Sequence, residues 1–122
     1  MKITKYLLPI ALVALPLLAE DPTPQHVTLM KDIAAANGKI GKGEDLEASA
    51  RKMSQLMKDV ATFWTPKDAA AGKLATDASA AALNLANSMG DTDALKMTIG
   101  ASCRGCHMAH REGPQGGPYK IK

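Results

Sequence analysis

Cys103-Arg104-Gly105-Cys106-His107 places two thiols and one imidazole within five residues, in the order C-x-x-C-H. On a helix, positions i, i+3 and i+4 share one face. Both sulfurs and the ring are then aimed at a single flat object, and the pattern is the attachment signature of a c-type haem, with two thioethers to its vinyl groups and an imidazole on its iron. Competing uses of these residues fit less well. A redox dithiol of the thioredoxin type wants a βαβ setting, and Cys103, Cys106, His107 and His110 would crowd four ligands into eight helical residues, against the tetrahedral demand of zinc. A disulfide across two intervening residues closes a very small loop and stabilises little. One covalently bound haem c is therefore expected, held by Cys103 and Cys106, with His107 as the proximal iron ligand. A haem-free exported helical protein carrying the motif by chance is the remaining alternative.

The elements that must position this motif read as helices. The chain is rich in Ala, Lys, Met and Leu and poor in β-branched and aromatic residues, without sustained strand alternation. Thr23 before Pro24 fits an N-cap with proline at N1, opening a first helix to about Ile40. Leu29, Ile33, Ala36 and Ile40 form its apolar stripe, widened by Val27, Met30 and Ala34. Glu44 and Asp45 suit the first turn of a second helix, in which Leu46, Ala50, Met53, Met57, Val60 and Trp64 alternate +4 and +3 as a heptad-like seam. A third, Ala-rich segment runs from Lys67 to Met89, with Leu74, Ala78, Ala81, Leu85 and Ser88 on one stripe. Gly72 is a candidate break near its start, and Gly90 is the expected C′ residue. Asp91-Thr92-Asp93 caps a fourth helix whose stripe, Leu95 and Ile99, continues through Cys103 and Cys106. Gly113-Pro114 stops it. The expectation is an all-α, antiparallel four-helix bundle over residues 20–112, followed by a flexible tail at 113–122.

The first residues have a different purpose. Lys2 and Lys5 precede an apolar run from Tyr6 to Leu18, broken by Pro9 and Pro16 and shorter than the ~20 residues of a membrane span. Residues 1–19 read as a secretory signal peptide cut after Ala19, an uncleaved anchor being the alternative. The expected location is periplasmic, with no membrane association after cleavage. Loss of Lys2 and Lys5 leaves 13 basic against 12 acidic residues, so the formal charge of +3 is largely a property of the signal. No concentrated basic patch suggests nucleic acid. Four aromatic residues are few for a small bundle, and a buried haem would supply a large apolar body in their place.

The face of the iron opposite His107 decides what such a site does: a methionine makes a six-coordinate carrier of raised potential, a second histidine lowers it, and an open position binds small ligands. His110 is one turn beyond His107 on the same helix and cannot cross to the far side. His26, at the start of helix one, is expected to be a surface histidine. Met53, Met57 and Met89 fit core stripes, Met97 lies on helix four and Met108 follows the ligand directly. That leaves Met30, for which spacing alone keeps two readings open, iron ligand or core gap-filler.

Two stretches resemble the class II cytochrome c family, in which the haem motif lies near the C-terminus of a four-helix bundle. Leu29-Met30-Lys31-Asp32 with Asn37-Gly38-Lys39-Ile40-Gly41-Lys42-Gly43-Glu44 is similar to the first helix and turn of the low-spin, c-556 branch. Ala94 to Ser102, leading into Cys103 to His107 and Arg111, is similar to the family's haem-binding helix. The resemblance implies Met30 as the sixth iron ligand and Arg111 as a contact to the haem edge or a propionate; from its place at the helix end, Arg111 reads equally as a solvated cation stabilising the helix dipole. The resemblance also implies a single-electron carrier for redox partner proteins; the oligomeric state, monomer or homodimer, does not carry over from the family, and no acid/base group is positioned by sequence on the distal side, so no enzyme activity is expected. The family's high-spin branch implies the alternative, a five-coordinate cytochrome c′-like protein binding nitric oxide or carbon monoxide. The chain departs from the family in a short connection from Phe63 to about Lys73 and in lacking aromatic residues on helix three.

Overall fold

Thr23 and Pro24 begin the first helix as their residue types require. The Thr23 hydroxyl accepts the His26 N–H at 3.2 Å, and Pro24 opens α1, Pro24–Lys42. The computed structural model describes residues 20–113 and 120–122; the expected signal peptide and most of the expected tail lie outside the described residues. Gly43, in the left-handed region at φ 72°, ends α1 by turning its N–H and that of Glu44 back onto the carbonyls of Ile40 and Lys39.

The second helix, α2, is Leu46–Trp64, with Asp45 at its N-cap. Its predicted seam is buried from Ala50 to Trp64. A second buried row, Ser49, Ser54 and Leu56, was not evident from spacing; it exists because α2 packs against both α1 and α3. The third helix, α3, is Ala69–Ala86, shorter than expected at both ends. Asp68 caps it, its carboxylate accepting the N–H groups of Ala70 and Ala71 at 3.0 and 3.4 Å. Gly72 is no break. It lies in the first turns of α3, where a Cβ would stand 2.8 Å from the Thr65 Cα, so the glycine is what lets α3 approach the end of α2.

The exit from α3 also differs from expectation. Ser88, at φ 55°, takes the left-handed C′ position assigned to Gly90, and Met89 N–H returns to the Asn84 carbonyl at 2.8 Å. Helical register is therefore lost before Met89, which is 61% exposed and no core residue. The fourth helix, α4, is Thr92–His110, capped by Asp91. The result is an all-α four-helix bundle in which short loops make consecutive helices neighbours.

Arg111–Glu112 (β1) pairs antiparallel with Lys120–Ile121 (β2), and Ile121 exchanges two 2.7 Å backbone hydrogen bonds with Glu20. Ile121 is also partly buried against the core. Among the described residues, no helix is long and apolar enough to cross a membrane.

Candidate functional site

The helix pairs α1·α2, α2·α3 and α3·α4 are packed, while α1 and α4 barely touch. A cavity of about 780 Å³ opens along that gap, within the ~300–1,000 Å³ usual for small-molecule and cofactor pockets. Cys103, Cys106 and His107 line it from α4, and Met30 and His26 line it from α1. Met57, Val60 and Trp64 of α2 form the back wall with Ala71 and Ala75 of α3. The alanines explain the space. A run of small side chains lets α2 and α3 close tightly, with Ala78 and Ala82 wholly buried, and leaves nothing large to project into the gap.

Periodicity predicted that the motif would occupy the continued stripe of helix four, and Cys103, Cys106 and His107 are indeed half-buried on the cavity side. Both cysteines are free thiols. Burial pushes each thiol above its ordinary range, for Cys106 with the added influence of Cys103 and Asp68, so both are held protonated. Burial, and then the nearby Arg111 cation, lower the affinity of His107 for a second proton, which leaves a ring nitrogen with its lone pair.

Charge at the cavity is one-sided. Its charged lining residues are Lys31, Arg104 and Arg111, and no described carboxylate lines it. An apolar interior with a cationic rim suits a flat apolar group that carries carboxylates at one edge, and the thiols, imidazole and thioether stand on two walls of the same space. The residues present therefore fit a haem. Among the described residues no three His, Cys, Asp or Glu side chains converge on a metal-ion position, so the zinc alternative has no ligand set. The all-α fold likewise lacks the βαβ setting of a thioredoxin-type dithiol.

Two histidines behave differently from each other. His110, excluded as a ligand by its place on α4, is engaged by other groups: Nε2 contacts the Asp68 carboxylate at 2.7 Å and Nδ1 the Lys122 carbonyl at 2.6 Å. Its ring lies over Trp64 with centroids 4.1 Å apart. The hydrogen bond from His110 holds the Asp68 carboxyl below its usual range. Asp68 thus caps α3 and ties it to the end of α4.

His26 corrects the expectation of a surface residue. It is 8% exposed and lines the cavity, its ring tilted against Phe63 at 5.2 Å. Burial, and then the charge of His107 across the gap, lower its proton affinity. The local signal was present, since His26 and Met30 are i and i+4 on one helix face. What was hidden is that Phe63, at the far end of α2, covers the start of α1. Trp64 adds a buried indole Nε1 with no hydrogen-bond partner among the described residues, lining the same cavity.

Comparison of the chain with protein-family models, with curated proteins and with solved structures gave no match.

Proposed function

We propose that the protein is an exported single-electron carrier of the class II cytochrome c type, with one haem c attached through Cys103 and Cys106 and ligated by His107 and Met30. One observation carries the reading: the C-x-x-C-H side chains form one wall of a cavity whose facing wall holds Met30. When bound, the haem supplies reversible one-electron chemistry between ferric and ferrous iron. The chain's own residues set the conditions for it. Cys103 and Cys106 would hold the group on α4 by thioethers, His107 and Met30 would supply its iron ligands, and the apolar side chains of the cavity would limit water around it, all of which would tune its potential. Arg111, half-buried at the cavity rim, is the propionate contact, with Lys31 and Arg104 adding positive charge. Partners are redox proteins of the exported compartment, reached after removal of residues 1–19. Transfer of the electron is the proposed activity.

Mass and optical spectra of the mature protein test this. The expected result is the mass of one added haem, a low-spin resting spectrum with a far-red iron–methionine band that Met30→Ala abolishes, and slow carbon monoxide binding. A mature mass without haem overturns the cytochrome reading. A high-spin resting spectrum with rapid carbon monoxide binding replaces the carrier by a ligand-binding, cytochrome c′-like protein.

A further inference from the structure

We infer that His26 is a second axial ligand on the α1 wall, taking the iron position opposite His107 whenever the Met30 thioether does not. This rests on the haem reading above. His26 is more than nine-tenths buried, so it is no solvated surface histidine. Nor is it a satisfied core histidine: among the described residues its backbone N–H is bonded to Thr23, while its ring makes only an aromatic contact, with Phe63. Its ring nitrogens make no hydrogen bond among the described residues and are not enclosed by protein, so the imidazole opens onto the cavity it lines, and neutral imidazole is a good donor to iron. The placement agrees. His26 and Met30 are one turn apart on one face of α1 and line the same cavity. Both donors come from α1 and line the cavity that His107 lines from α4. With the Met30 thioether absent, the His26 imidazole is the remaining donor on that wall of the cavity.

Ferric optical and electron paramagnetic resonance spectra of the haem-loaded protein decide it, with added imidazole as the probe of an open position. Met30→Ala should lose the far-red band yet stay low-spin and ignore added imidazole. Met30→Ala combined with His26→Phe, which keeps an aromatic ring against Phe63, should be high-spin and bind imidazole readily. A wild type without the far-red band whose low-spin iron turns high-spin on His26→Phe also supports His26, while removing Met30 from the iron. If Met30→Ala alone is already high-spin and binds imidazole as readily as the double variant, His26 does not reach the iron and the inference falls. Failure of the haem reading is separate, because it shows as a mature mass without haem before any variant is made.

Discussion

Substituting alanine for glycine should have opposite signs at two helical positions of this protein. Gly38 lies on the exposed side of α1, and a Cβ there meets nothing within 4 Å. Gly38→Ala should therefore show only the helix-propensity gain of about 0.5–1 kcal/mol. Gly72 lies against the end of α2, where a Cβ would stand 2.8 Å from the Thr65 Cα and 3.0 Å from its Cβ. The backbone there cannot turn aside, and the Thr65 hydroxyl is held by its 2.6 Å hydrogen bond to the Ala61 carbonyl. Forcing such contact costs about 1–3 kcal/mol against the same propensity gain of about 0.5–1 kcal/mol, which leaves a net loss of up to about 2.5 kcal/mol. For a domain of this size, each kcal/mol moves the thermal midpoint by about 4–8 °C. Urea and thermal unfolding of the two variants beside the wild type provide the assay. If Gly72→Ala is as stable as the wild type or more so, the close approach of α2 and α3 is not what that glycine serves.

The remaining predictions concern polar contacts between helices. The Ser79 hydroxyl donates to the Ser54 carbonyl at 2.9 Å and lies 3.0 Å from the Ser54 hydroxyl, all of it buried. Ser79→Ala removes both contacts and leaves a buried hydroxyl without its partner, at about 1–3 kcal/mol, whereas Ser54→Ala leaves the bond to the carbonyl and should cost about 0.5–1.5 kcal/mol. Equal urea midpoints for the two variants would refute this ordering. Asp68 is depressed below its ordinary value of 3.8 by His110, so its contribution to stability is present above that value and lost as pH falls through the lower folded one. Asp68→Asn should be less stable than the wild type at neutral pH, with the difference closing in acid; a difference independent of pH would show that the carboxylate charge plays no part.

The helices were legible because local chemistry decides them. Thr23-Pro24, the α2 seam and Asp91 each carry their signal within a few residues, and the structure places them accordingly. The cavity was half legible. Helical spacing put Cys103, Cys106 and His107 on one face and left Met30 open between iron ligand and core gap-filler, whereas the burial of His26 depends on Phe63, thirty-seven residues away. Likewise Gly72 reads as a break until Thr65 is seen beside it, and the pairing of Ser54 with Ser79 requires knowing the α2–α3 register. Met89 was misplaced for a local reason, because a left-handed Ser88 is harder to foresee than a left-handed glycine. The clasp of Lys120–Ile121 on Arg111–Glu112 joins segments too short to show strand periodicity.

That α1 is fastened mainly through α2, with almost nothing joining it to α4, bears on the order in which the molecule is assembled. The helices α2, α3 and α4 share the larger apolar interfaces and form the last unit to open, while α1 can swing away at lower free energy, a hierarchy that amide hydrogen exchange would resolve. A bulky group could then be joined to the exposed α4 wall before α1 closes over it. The helix bearing Met30 and His26 would complete the enclosure as a door, shut by the contents it covers.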